Sequence, residues 1–267
     1  MVTSISVLAD IIGQVGGDHT EVVSLIPPGA DVHTFQATPQ DAILVSTADI
    51  VFFNGLDLEV PIEDMVGNAL SPAVPLVVLA DSVEPNSIIV GDKEGDGNRN
   101  PHLWLNPQFV IRYVETVRDA FIELDPSEKE DYRANAEKYL QELAELDREI
   151  ERAINSIPKE RRKLITLHDA FSYLAQRYGL EVIDFALRSP GRVPSAKEVA
   201  DLVENIRATG VGVVYKEPQF NAEILEMVAS DTGVEVLILY NDALGDGVSS
   251  YLELMRYNKE QLVEGLR

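Results

Sequence analysis

The sequence predicts an α/β protein of two lobes with mostly parallel four-stranded sheets, joined by a single long helix. Three observations predict it. Short apolar, strand-like runs alternate with helical stretches from the N-terminus to about residue 124. The same alternation resumes after Pro158. Between them, residues 125–157 contain no glycine and only one proline, at the start. The expected division is therefore an N-terminal lobe over 1–124, a linking helix over 125–157 and a C-terminal lobe over 158–267.

The elements follow in order. Residues 4–8 read as a short strand, followed by an amphipathic segment around 11–15, and residues 21–25 as a second strand. Thr38 then caps a helix with Pro39 at its first position. Ile50, Val51, Phe52 and Phe53 form a continuous apolar run, as in a strand buried on both faces, and residues 76–79 form another. Residues 91–98 are a polar, glycine-rich loop. A helix runs from Pro107 to about Leu124. Asp125-Pro126-Ser127 starts the next one, in which Tyr132, Ala136, Tyr139, Leu143, Leu146, Ile150, Ala153 and Ile157 recur in steps of three or four. About 30 residues at ~1.5 Å each make a helix of roughly 45 Å, long enough to run the length of a two-lobed protein. Its small and aromatic seam residues favour packing within one chain over a coiled-coil dimer. Strands are then expected at 163–167, 181–185, 211–215 and 234–240. Helices are expected at 170–178 (closed by Gly179), from 194–196 to about 209, at 221–230 and at 250–266.

Composition narrows the function. Against 45 acidic residues stand 22 basic ones, a net charge of −23. Phosphate binding requires a Lys/Arg surface, so nucleic acid is not an expected partner, whereas a small cation is drawn to such a molecule. There is no cysteine, so any transition-metal site must use His, Asp or Glu. No apolar stretch of membrane-spanning length occurs. Residues 1–7 read as the start of a strand and not as a basic, apolar targeting segment, so a removed signal segment is compatible with the chain.

Only four histidines occur, and three sit in distinctive settings. His33 lies in Gly-Ala-Asp-Val-His-Thr-Phe, His102 in Asn-Pro-His-Leu-Trp-Leu-Asn-Pro, and His168 in Leu-His-Asp-Ala-Phe. Each falls where a strand or loop ends, which is where α/β proteins keep binding groups. Their separations of 69 and 66 residues exclude a zinc finger, and no His-Glu-x-x-His motif occurs. Ligands this far apart must be assembled by the fold: two from the first lobe and one from the second. A fourth is expected from the end of the last strand. Asp242 is the leading candidate there, with Asp231 and Asp246 as alternatives. Three neutral imidazoles and one carboxylate suit four-coordinate zinc. Asp169 and Glu217 are candidates to orient ring nitrogens, or else plain surface or capping residues. His19, in Gly-Gly-Asp-His-Thr, reads as a solvent-facing turn residue.

These segments resemble one family along essentially the whole chain: the cluster A-I (cluster 9) metal-binding solute-binding proteins of bacterial zinc and manganese ABC importers. The resemblance is carried by Ser4 to Ile12 with Val15-Gly16-Gly17-Asp18, by Leu25 to Phe35 with Pro39, and by Pro101-His102-Leu103-Trp104-Leu105-Asn106-Pro107. It continues in His168-Asp169-Ala170-Phe171, Pro194-Ser195-Ala196-Lys197-Glu198, Glu217-Pro218-Gln219-Phe220, and Tyr251 to Asn258. It implies two lobes joined by one rigid helix, an extracytoplasmic (periplasmic) location, and a monomer that delivers a divalent metal to a membrane ABC permease. It maps the metal ligands onto His33, His102, His168 and Asp242. Manganese members tend to carry Glu at the third position; His168 there tips the expectation to Zn2+, with Mn2+ as the alternative. Zinc members often carry a long His-rich loop before the second ligand, and the short, His-free 91–98 stretch departs from that pattern. The protein is thus expected not to be an enzyme. The rivals are a zinc hydrolase with Glu217 as base and an open water position, a surface adhesin, or a purely structural metal site.

Overall fold

The computed structural model describes residues 1–90, 99–188, 191–245 and 247–267. In the N-terminal half, strands β1 (Val2–Thr3), β2 (Val23–Ser24), β3 (Val51–Phe53) and β4 (Leu76–Val78) form a sheet in the order β2-β1-β3-β4. Every pairing in it is parallel. The apolar run at 50–53 becomes β3, buried throughout as its composition predicts. The first strand departs from expectation: β1 ends at Thr3, and residues 6–8 open helix α1 (Ser6–Gly16). The cause is the spacing of Val7, Leu8, Ile11, Ile12 and Val15, which share one helical face and are fully buried. Thr38 caps α2 (Pro39–Ser46) through a reciprocal box with Asp41. Helix α3 (Val60–Ala69) has no counterpart among the expected elements; it buries only Ile62 and Val66, so its apolar period is faint.

Helix α4 (Pro107–Leu124) begins at Pro107, with Asn106 as its cap. A 3-10 turn at Pro126–Glu128 then leads into α5 (Lys129–Asn155), 27 residues and about 40 Å long. Tyr132, Ala136, Tyr139, Leu143, Leu146 and Ile150 are buried as predicted; near the end, Ile154 takes the buried place expected of Ala153. The seam is covered inside the chain, because α5 packs on α4, on α1 and on the C-terminal helix α9 (Tyr251–Leu266).

The second sheet contains β5 (Lys163–Thr166), β6 (Glu181–Phe185), β7 (Val213–Lys216) and β8 (Glu235–Ile238). Its order, β6-β5-β7-β8, repeats that of the first, and again every pairing is parallel. Helices α6 (Ser172–Tyr178), α7 (Ala196–Thr209) and α8 (Glu223–Thr232) connect the strands. Gly179, at φ 71°, closes α6 in the left-handed conformation that favours glycine. Ser195 opens α7 with a capping box to Glu198. One continuous apolar core runs from α1 through α4 and α5 to α6 and α9, so the two sheets share a common interior. Polar ties cross the same boundary: the Tyr251 amide donates to Asp10 (2.8 Å) and the Leu244 amide to the Ser6 hydroxyl (2.9 Å). Among the described residues no helix is long and apolar enough to cross a membrane.

Candidate metal centre

His168 stands two residues beyond the end of β5, and Glu217 one residue beyond the end of β7. These strands are neighbours in parallel register, with Thr166 opposite Tyr215. Two steps on from that pair, His168 and Glu217 are therefore level, and His168 Nδ1 lies 2.8 Å from Glu217 Oε1. The carboxylate accepts from Nδ1–H, which leaves His168 Nε2 bare. His102 is set the same way from the other half. Asn100 Oδ1 accepts from the His102 backbone amide (3.0 Å) and pairs with its Nδ1 (2.9 Å). The freed His102 Nε2 then sits 3.3 Å from His168 Nε2. His33 lies in the segment between β2 and α2, held by its backbone amide donating to Asp31 (2.9 Å). Its Nε2 is buried without a partner among the described residues.

The three rings form a triangle with centroids 5.7, 5.7 and 5.1 Å apart. One ligand nitrogen from each lies within 4.8 Å of the others. Trp104 packs edge-on against His102, and Phe220 against His168. His102 and His168 are almost fully buried, and His33 is partly open. The 3.3 Å between the two Nε2 atoms is a telling distance. Two nitrogens on a tetrahedral ion with bonds of about 2.0–2.1 Å are separated by about 3.3 Å.

The charges suit a cation. Burial and the neighbouring His168 lower His33 to about 3, and burial together with the other two imidazoles holds His102 well below its usual range. Both are therefore neutral bases ready to donate a lone pair. His168 differs: burial lowers it, but the Glu217 carboxylate outweighs that and leaves it raised. Burial, and then the charge of Glu217, push Asp242 up to about 7. Glu217 Oε2 and Asp242 Oδ2 are buried with no hydrogen-bond partner among the described residues. Two neutral imidazoles and two carboxylate oxygens without a partner among the described residues suit a positive ion.

Asp242 follows β8, as the sequence placed it, and interacts electrostatically with His168. It is not part of the close group of three imidazoles; Gln219 donates to its Oδ1 at 2.6 Å. Asp231 is exposed on α8, and Asp246 and residues 91–98 lie outside the described residues. Of the two candidate orienting residues, Glu217 grips an imidazole, whereas the Asp169 carboxylate accepts from the Ser172 hydroxyl at the start of α6. His19 is exposed in a turn, as expected, and pairs with Asp131 (2.8 Å).

Other supporting residues escape a reading of the sequence. Asn100 also donates to the Asp169 carbonyl (2.8 Å), tying the His102 segment to the His168 segment. Tyr173 donates to the Asn100 carbonyl (2.8 Å). Asn54, at the end of β3, donates to the Pro101 carbonyl (2.8 Å) and accepts from Tyr113 (2.7 Å). The buried Glu59 accepts from the Asn54 and Gly55 amides and from the Ser4 hydroxyl. The Asn-x-His spacing is a local signal that points to Asn100. Asn54 and Glu59 have none, since the partners that tie them to the site, Pro101 and Tyr113 for Asn54 and Ser4 for Glu59, are distant in the chain.

Comparison with known proteins gives the same picture. The family described as "ZnuA: Zinc-uptake complex component A periplasmic" matches residues 1–265. The chain belongs to that family. It is an extracytoplasmic metal-binding component of an ABC importer and not an enzyme. Among its relatives in the family, the manganese-binding lipoprotein MntA of Halalkalibacterium halodurans is 30% identical over 270 residues, covering 100% of this chain and 88% of its own. The iron-binding protein YfeA of Yersinia pestis is 30% identical, with 99% and 85% covered. The solved structure of the periplasmic zinc-binding protein TroA of Treponema pallidum superposes with a TM-score of 0.91 at 25% identity, covering 99% of this chain and 98% of TroA. The family's two-lobed architecture with a long central helix is the fold described above.

Proposed function

We propose that this protein captures Zn2+ between its two lobes, using His33, His102, His168 and Asp242, and delivers it as a monomer to a membrane ABC permease. The lobes in this reading are residues 1–124 and 158–267, with 125–157 as the rigid connector. The observation that carries it is the triangle of imidazole nitrogens within 4.8 Å, with its 3.3 Å edge. Three nitrogens and one oxygen favour zinc over the harder, oxygen-seeking manganese ion. The ion is cargo, so the site must also release it. A 27-residue connector packed along its length favours small tilts and loop motion over wide hinge closure. Tyr240, Asp242 and Leu244 lie on the segment leading from β8 to α9, where a small displacement alters the site without disturbing either sheet.

Manganese is the second reading, supported by the name of MntA. Competition titration of the purified protein with zinc and manganese against a chelator decides between them. Zinc is expected to bind more tightly by orders of magnitude, and His102→Ala to abolish most of that affinity. A preference for manganese, or unchanged zinc affinity in His102→Ala, overturns the reading.

A further inference from the structure

Asn100 divides its hydrogen bonds between the two halves of the molecule. Toward the N-terminal half, its backbone amide donates to the Ile89 carbonyl (2.8 Å), and its Oδ1 accepts from the His102 amide and faces His102 Nδ1. Toward the C-terminal half, its Nδ2 donates to the carbonyl of Asp169, the residue next to His168, and its own carbonyl accepts from the Tyr173 hydroxyl on α6 (both 2.8 Å). The same hydroxyl accepts from the Ile89 amide (3.0 Å). Asn100 is buried, and Tyr173 fully so. The Asp169 carbonyl can only accept, so it draws the nitrogen end of the Asn100 side chain and turns the oxygen end to His102. Only Nδ1–H can answer that oxygen, which leaves Nε2 for the ion. A backbone group of one half thus helps to set the tautomer of an imidazole in the other.

We propose that Asn100 is a positioning residue that works as a clasp: Asp169 and Tyr173 hold it across the boundary between the halves, and it in turn holds His102 toward the ion. Tilting the halves apart pulls on both bonds that cross the boundary. A hydrogen bond of 2.8 Å is lost once it is stretched by about 1 Å, so a small tilt is enough to break them. The Asn100 side chain is then free to turn, His102 Nδ1 loses its acceptor, and one ligand on the ion loosens. Closed, the same bonds keep His102 Nε2 and His168 Nε2, one from each half, 3.3 Å apart. This role rests on the reading above, in which both imidazoles are ligands, and ties their grip to the motion of the halves.

Two variants of nearly unchanged size separate a clasp from plain structural support. Tyr173→Phe removes a hydroxyl whose bonds go to Asn100 and Ile89. Asn100→Asp keeps an oxygen toward His102 but offers no donor to the Asp169 carbonyl. Its added charge makes His102 a stronger ligand, so faster release in this variant runs against what the charge alone would do. Zinc-loaded protein is mixed with excess chelator at mildly alkaline pH, and the release rate is read by stopped flow. Release is expected to quicken by about tenfold in Asn100→Asp, the scale of losing a group that orients a ligand, and severalfold in Tyr173→Phe. The double variant should be little faster than Asn100→Asp, because both substitutions open one linkage. Unchanged release in either single variant, even with a lowered Tm, overturns the proposal, and so do effects that multiply as independent losses. Zinc affinity that survives His102→Ala defeats the reading of the site instead. A wild type that prefers manganese defeats only the choice of metal, and release is then followed with that ion.

Discussion

Two of the three imidazoles have one ring nitrogen assigned to the protein, which leaves the other for a ligand. Asn100 takes His102 Nδ1, and Glu217 takes His168 Nδ1. Removing such a partner typically costs 10–100-fold in metal affinity. Glu217→Gln is therefore expected to weaken zinc binding by about that factor in a chelator competition. It is also expected to move the pH dependence. Zinc needs neutral imidazoles, and His33 and His102 hold protons too weakly to compete. His168 and Asp242 are the proton competitors: burial lowers the His168 pKa but Glu217 raises it to a net value above the ordinary 6.5, and burial, then the charge of Glu217, push Asp242 up to about 7. Affinity in the wild protein should thus begin to fall as pH drops through a range above 6.5. In Glu217→Gln that fall should come at lower pH. An acid limb that does not move would show that another group governs it.

The long helix is the element on which both halves rest. Leu143 is fully buried on α5, within the core shared by the two halves. Leu143→Ala is expected to cost about 2–5 kcal/mol, read from urea unfolding. A cost near zero would mean that α5 is not packed as described. At the other end, His19 joins the turn after α1 to α5. Its pKa is raised: the hydrogen bond to Asp131 is the largest cause, burial opposes it, and the charges of Glu128, Asp131 and Asp18 add to it. A group raised in the folded state contributes its stability below its unfolded pKa of 6.5 and loses it as pH rises through the folded value. Thermal scans of His19→Gln and wild type should differ in acid and converge in mild alkali. The pair is exposed, so the difference is small.

At the scale of the whole molecule, a site built from both halves couples cargo to stability. An ion that binds only the folded state stabilises it by about 2.7 kcal/mol at a free concentration 100 times Kd. Zinc should therefore raise Tm in calorimetry, chelator should reverse the rise, and the chelated protein should keep its circular dichroism spectrum. Unfolding on chelation would mark the metal as structural and not as cargo. The net charge of −23 favours approach of a cation, and added salt should slow zinc association.

Sequence by itself determined the α/β class, the long connecting helix and the three histidines that come together. Local physics writes these into the chain: Asp125-Pro126-Ser127 starts a helix, Ile50 to Phe53 has no polar face, and Thr38 and Ser195 cap. It erred at residues 6–8, where a β-like run is equally a helical face and the burial of Val7 and Leu8 beside Ile11 decides. Only the tertiary structure decided which carboxylate orients His168, because Asp169 is adjacent in sequence while Glu217 is adjacent in register across β5 and β7. Only it brought Asn54 and Glu59 beneath the His102 segment and Gln219 onto Asp242. Such contacts are chosen by strand order and helix packing over distances along the chain on which no local pattern depends.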